Sequence, residues 1–315
     1  MKGWKRFLSL WPTVPALRWG NLLGLAIVGC YLLAAIAAPR LSPSDDPGHP
    51  SPFKVVGNRF SDMTPRPPSK EARLGTVPGQ LDVYHTLVWG TRSALRFGLI
   101  TALGAACLGV LVGAISGYMG GLVNGLLMRI TDAFLSFPII AGVWLFRHLL
   151  LPPRFDSVST SWLQRTMLDL KLDPVMLTFI LFSWMVYARV INTNVTRLKQ
   201  VEYVVAARSL GAGSARIMLR HLLPNAIAPA VVLVARDVGA MVILESAFTF
   251  IGMGGNTEWG VLLVTSRDYV IGMGGNPLAY WWTFLPVSLA LVFFGVGWNL
   301  LGDGLNAMLN PRTAR

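Results

Sequence analysis

The sequence predicts an all-α membrane protein with six transmembrane helices, and three observations carry that prediction. Of 315 residues, 53% are hydrophobic and only 13% charged, where a soluble domain carries about 25% charged residues. Apolar runs long enough to cross a bilayer, which takes roughly 20 residues, recur along the whole chain. Lys and Arg gather in alternate connections, the asymmetry that orients multi-pass proteins.

The expected spans are about 21–38, 97–118, 132–150, 174–190, 226–252 and 280–301, within a single transmembrane domain over 1–315. Residues 1–19 carry Lys2, Lys5, Arg6 and Arg18 and no acid, which predicts a cytoplasmic N-terminus. Six spans then return the C-terminus to the cytoplasm. The first span has a rival reading as a signal peptide cleaved near Ala35-Ile36-Ala37, although its apolar stretch exceeds the usual length. Residues 39–96 form an external segment. Pro39 to Pro68 is rich in Pro, Ser, Asp and Gly and reads as irregular. Asp82 to Arg96, with Val83, Leu87, Gly90 and Ala94 at helical spacing, reads as a short helix on the outer membrane surface.

In the second span, Gly109, Gly113 and Gly117 recur every four residues, a spacing that lets membrane helices approach closely. Near one end of the third, Arg147 and His148 can snorkel to the interface. The external connection 151–173 balances Arg154, Arg165 and Lys171 against Asp156, Asp169 and Asp173, whereas 189–221 sets Arg189, Arg197, Lys199, Arg208, Arg216 and Arg220 against Glu202 alone. The net charge of +12 is therefore mostly a topology signal and gives no reason to invoke nucleic acid. Cys30 and Cys107 both fall in apolar runs and give neither a disulfide framework nor a metal spacing.

The basic connection holds the most informative segment, Glu202 to Pro224. Tyr203, Ala206, Ala207 and Leu210 fall on one helical stripe, Gly211 can end that helix in the left-handed conformation, and Ser214 can cap a second. There Ala215, Met218, Leu219 and Leu222 repeat the spacing, and Pro224 stands where the next spanning helix is expected to start. The outcome is an elbow with an apolar face and a basic face. It suits docking by a soluble partner; it equally suits a loop lying on the bilayer with its arginines against lipid phosphates.

Span five contains Arg236, Asp237 and Glu245, and charges at that depth normally face a cavity, a bundle interior or a partner charge. Asp237 and Glu245 lie about 80° apart around an ideal helix and could line one sector of a pathway. The alternative is a structural pair in which Arg236 neutralises a carboxylate. Ile-Gly-Met-Gly-Gly-Asn occurs at 251–256 and again at 271–276, without the spacing of a dinucleotide loop. No phosphate-binding loop, metalloprotease pair or nucleophile elbow is present, so a non-enzymatic chain with no cofactor of its own is expected.

The residues also resemble a family. Ala206-Ala207, Gly211 and Leu223-Pro224 resemble the signature loop of ABC importer permeases. Tyr187-Ala188-Arg189, Gly117-Tyr118, Gly120-Gly121, Met128-Arg129, Asp132, Phe137-Pro138, Leu74-Gly75-Thr76, Asp82-Val83, Gly90 and Arg92 resemble the dipeptide, oligopeptide and nickel group of these permeases. The tail from Asn299 to Leu305, followed by Asn310-Pro311-Arg312, is similar to the C-type permease of the pair. The chain departs from that pattern at Val205, where the group usually has Glu before the paired alanines, at Gln80-Leu81 before Asp82, and at Asn124 in place of Asp. The resemblance implies a type I importer fold with a cytoplasmic coupling helix, at the plasma membrane of a bacterium or archaeon. It implies a homologous second permease, two ATP-binding subunits that bind the nucleotide, and an extracytoplasmic substrate-binding protein. Alternating access would move small, peptide-like solutes. An ion-coupled secondary transporter, with Asp237 and Glu245 as its relay, and a non-transporting scaffold are the alternatives.

Overall fold

The computed structural model describes residues 19–46, 48, 50–58, 62–150, 174–253, 255, 257–271 and 276–309. The expectations for the side chains of Arg147 and His148, the 151–173 connection, the N-terminal bases, the tail 310–312 and most of the second Ile-Gly-Met-Gly-Gly-Asn lie outside what is described. The chain divides into two compact units. One comprises 1–21, 100–237 and 302–315, the other 22–99 and 238–301.

Among the described residues, four helices are long and apolar enough to cross a membrane, or up to six passages if each of two bent helix pairs counts as one. Helix α1 (Trp19–Leu41) covers the first expected span. Helix α2 (Val83–Met119) is continuous over 37 residues, so the surface helix expected at 82–96 and the span expected at 97–118 are one element. Nothing between them breaks the helix, and Val83, Val88, Ala94 and Phe97 are buried in protein, not laid on a membrane. At 1.5 Å per residue it is roughly 55 Å long, well beyond the ~30 Å apolar core of a bilayer.

The passage expected at 132–150 is a bent pair that starts earlier. Helix α3 (Gly121–Ser136) begins earlier, and α4 (Ile139–Leu150) follows, with an angle of 88° between the two axes. The cause is Pro138: its ring excludes the residue before it from the helical region, and Phe137 is extended at φ −85°, ψ 128°. Helices α5 (Pro174–Leu181) and α6 (Trp184–Leu198) together supply the next apolar passage.

The elbow follows as α7 (Glu202–Ser209), α8 (Ser214–Ile217), a π-helical turn (Met218–Leu222) and α9 (Leu223–Ala226). The long helix α10 (Ala228–Phe250) then leaves at 53°. The spanning helix therefore starts four residues beyond Pro224, which belongs to α9. Helix α11 (Glu258–Ile271), which the sequence reading did not foresee, precedes α12 (Trp281–Leu309).

In the first unit, α2 and α6 meet through the glycine stripe. A Cβ added at Gly117 would lie 2.8 Å from the Asn192 carbonyl oxygen and 3.0 Å from Val195 Cβ, and Gly109 and Gly113 are closer still to Trp184, Tyr187 and Ala188. The same core takes in Tyr187, Ile191, Val195, Val204, Ile217, Leu222 and Ala226, all fully buried or nearly so. Asn192 ties α6 to Ser116 and to Asn124 at 2.7 Å each, and Lys199 donates to the Gly117 carbonyl at 3.0 Å.

In the second unit, Tyr31, Trp259 and Phe294 form a mutual edge-on cluster with centroids 5.2–6.0 Å apart. The segment expected to be irregular is stitched down. A short hairpin pairs β1 (Thr76–Val77) with β2 (Leu81–Asp82). Gln80, held at φ 54°, donates to the Asp62 and Thr64 carbonyls and accepts from Thr76 Oγ1. Buried His85 bridges Ser42 Oγ at 2.7 Å and the Ser51 carbonyl at 3.0 Å, and Trp89 donates to the Ser42 carbonyl.

Candidate functional site

The elbow is built from opposite ends of its residues. Inward, Val204, Ile217 and Leu222 are 0–1% exposed and sit in the core shared with α2 and α6. Outward, the stripe Tyr203, Ala206 and Leu210 is exposed with Ala207 half-buried, and Val205 joins them. Leu210 is 88% and Leu219 66% exposed. Ala215 is also exposed, Met218 is half-buried and Pro224 is exposed. Leu222, expected on the same face as Ala215 and Leu219, is instead one of the anchors. The reason is the π turn, which shifts the register: the Leu223 N–H bonds the Met218 carbonyl five residues back, just before Pro224, which has no N–H to give.

Gly211 stops α7 as the sequence implies. It is left-handed at φ 81°, its N–H reaches the Arg208 carbonyl at 3.0 Å, and the Ala212 N–H reaches the Ala207 carbonyl at 3.1 Å. That pair of bonds satisfies the last carbonyls of the helix. Ser214 does not cap the second helix. It is the first helical residue, and Gly213 holds the cap position with no side-chain bond. Arg208, Arg216 and Arg220 of the same segment are exposed as well.

The three span-five charges do not converge on one site. Arg236 pairs with Asp303 on α12, one residue after Gly302, which packs against the Arg236 side chain. Asp237 accepts a 2.6 Å hydrogen bond from the Tyr187 hydroxyl. Glu245, fully buried, accepts from Thr249 Oγ1 at 3.1 Å, from the Thr257 N–H at 3.4 Å and from the Thr257 hydroxyl. Arg236 thus neutralises a carboxylate on another helix, and neither Asp237 nor Glu245 is its partner. A second surface pair, Arg189 with Asp132 at 2.5 Å, joins α6 to α3. No group of three or more potential metal ligands occurs among the described residues.

Sequence reasoning missed Glu258, whose carboxylate receives the Ser93 hydroxyl of α2. The available signal was an acid beside Trp259 in an otherwise apolar stretch. The contact joins residues 165 apart, which no local periodicity reveals.

Residues 109–315 match the family described as binding-protein-dependent transport system inner membrane component. The chain is similar to the dipeptide transport system permease protein of Alkalihalophilus pseudofirmus, at 28% identity over 92% of this chain and 85% of that protein. It is equally similar, at 28%, to a probable D,D-dipeptide transport system permease protein of Escherichia coli strain K12, over 80% of this chain and 78% of that protein. The nickel transport system permease protein of the same strain is again 28% identical, over 93% of this chain and 95% of that protein.

Proposed function

Because this chain belongs to the family of binding-protein-dependent transport system inner membrane components, we propose that its elbow is the face on which an ATP-hydrolysing partner docks. The chain is a permease subunit of an ABC importer, a multi-pass plasma-membrane protein that works in a complex with other subunits. Its relatives are named for dipeptide, D,D-dipeptide and nickel transport, which supports small, peptide-like solutes as cargo.

The observation that carries the docking reading is the two-sidedness of 203–222. Leu210 and Leu219 stand out to solvent on a turn whose other side is fixed by Val204, Ile217 and Leu222 in the core. A patch both exposed and rigidly mounted can receive a partner and pass its movement inward. The full assembly under this reading adds a homologous permease, two ATP-binding subunits and an extracytoplasmic substrate-binding protein. The nucleotide sits in the partners, this chain holds no cofactor, and both termini lie in the cytoplasm. ATP drives transport in so far as it favours one conformation of the assembly over the other.

Leu210→Asp tests the docking. The chain is purified in nanodiscs with its co-expressed ATPases, and recruitment and hydrolysis are measured. Loss of ATPase recruitment with normal membrane insertion is the expected outcome. Recruitment and transport at wild-type levels would refute the elbow as the docking face, and flux that persists without any ATPase but collapses with an ionophore would favour ion coupling.

A further inference from the structure

We propose that Glu258 is a proton-binding site that fastens α11 to α2, making the corner between α10 and α11 sensitive to pH. The site lies wholly within the second unit and is independent of the docking elbow. Its geometry starts at the end of α10. Gly252, left-handed at φ 83°, closes that helix, with its N–H on the Thr249 carbonyl at 3.0 Å and the Met253 N–H on the Phe248 carbonyl at 2.9 Å. The chain then folds back over the Glu245 carboxylate. Gly255 lies so close that an added Cβ would collide with Glu245 and Thr249, and Thr257 donates twice to Glu245.

Glu258 comes next, and its carboxyl turns the other way, onto Ser93 of α2. The two helices are pressed together at this point. A Cβ on Gly90 would fall 2.6 Å from Trp259 Cδ1 and 3.0 Å from Glu258 Cβ, and Trp259 Nε1 donates to the Leu87 carbonyl at 3.0 Å. Glu258 is thus a mostly enclosed acid behind another enclosed acid.

The charged groups on the packed elements do not neutralise it. From α10 the group that faces it is Glu245. On α2, Arg92 is directed to the Ala35 carbonyl at 2.5 Å and lies over Trp89, and Arg96 is exposed. On α11, Arg267 pairs with Asp268 toward the far end. Tyr31 of α1, which packs on Trp259, donates to the Ala290 carbonyl. Among the described residues no ion pair includes Glu258.

Burial, reinforced by the neighbouring Glu245 carboxylate, pushes the Glu258 carboxyl from 4.5 up to about 7, against a smaller opposing pull from its own backbone N–H. In the protonated form the carboxyl O–H and the Ser93 hydroxyl can exchange donor and acceptor roles, and Glu258 adds no second charge beside Glu245. Release of the proton to solvent leaves a carboxylate held by the Ser93 hydroxyl and its own backbone N–H, with no cation paired to it among the described residues. The sign follows. The folded corner binds the proton more tightly than the opened chain, so its stability is fully present below about 4.5, declines as pH rises, and levels off above about 7.

The test is hydrogen exchange of the full-length chain in nanodiscs from about pH 5 to about pH 9, corrected for intrinsic exchange, read on peptides covering 251–262. Wild-type protection should fall by up to about tenfold per pH unit below the plateau. Glu258→Gln should flatten that slope. Ser93→Ala removes a donor that favours the ionised form, so the plateau should begin at higher pH; this variant keeps the carboxyl, and the test stands even if Glu258→Gln fails to fold. A wild-type profile independent of pH, a Glu258→Gln profile that tracks wild type, or a plateau moved to lower pH in Ser93→Ala would overturn the proposal.

Discussion

Gly113→Ala is the sharpest test of how α2 and α6 are joined. The new methyl carbon would lie 2.9 Å from Ile191 Cβ and 3.1 Å from the Ala188 carbonyl carbon, with the Ala188 oxygen nearer still. Carbon atoms settle at about 3.5–4.0 Å, and the obstruction is mainly backbone, so the helices must part by roughly 0.5–1 Å. Overpacking of this kind costs about 1–3 kcal/mol. Against it stands the gain from replacing Gly in a helix, about 0.5–1 kcal/mol. Taken at their midpoints, the two leave a net loss of about 1 kcal/mol. The control is Gly125→Ala on α3, where nothing lies within 4 Å of the added carbon and the propensity gain should appear alone. Reversible unfolding in mixed micelles, followed by tryptophan fluorescence, reads both. The two substitutions should shift stability in opposite directions. If Gly113→Ala is as stable as wild type, the close backbone contact does not hold these helices together.

Gly211→Val should leave the chain inserted but impair ATP-driven transport. Left-handed backbone costs a side-chain-bearing residue about 1–2 kcal/mol, and nothing lies within 4 Å of the new carbon, so the strain is conformational and confined to the turn. Transport at the wild-type rate, at equal expression, would count against the elbow as the mechanical link. Gln80→Gly relieves a strained φ of 54°, a gain of about 1 kcal/mol, but deletes three side-chain hydrogen bonds worth about 0.5–1.5 kcal/mol each. The segment 54–82 should therefore be cleaved faster by protease, and slower cleavage would show that strain outweighs the bonds.

Hydropathy located the apolar passages because burial in lipid is a property of composition, and the glycine stripe was readable because its spacing matches the helix period. Boundaries depended on breakers. Pro138 bends the third passage at a residue the sequence names, yet hydropathy alone runs straight through it. Nothing between Arg96 and Gly98 interrupts α2, so its 37-residue length follows from the lack of a stop and not from any positive sign. At the elbow, Gly211 was legible because one residue type serves the left-handed turn. The π turn was not, because it depends on how Leu223 and Pro224 share the carbonyls behind them, and it alone moves Leu222 inward. Partners far apart in sequence, such as Arg236 with Asp303 and Ser93 with Glu258, are set by packing that no periodicity encodes.

The burial of Val204, Ile217 and Leu222 in one core with Tyr187 and Ile191 divides the elbow's labour. Under the docking proposal, grip belongs to Leu210 and Leu219, while traction belongs to the three plugs beneath. The two can fail separately. Trimming a plug to alanine leaves the outer face intact, so a partner can seat itself and burn ATP like an engine with its clutch disengaged. Idle hydrolysis without flux would then be the signature of a severed plug, as distinct from the silence of an empty dock.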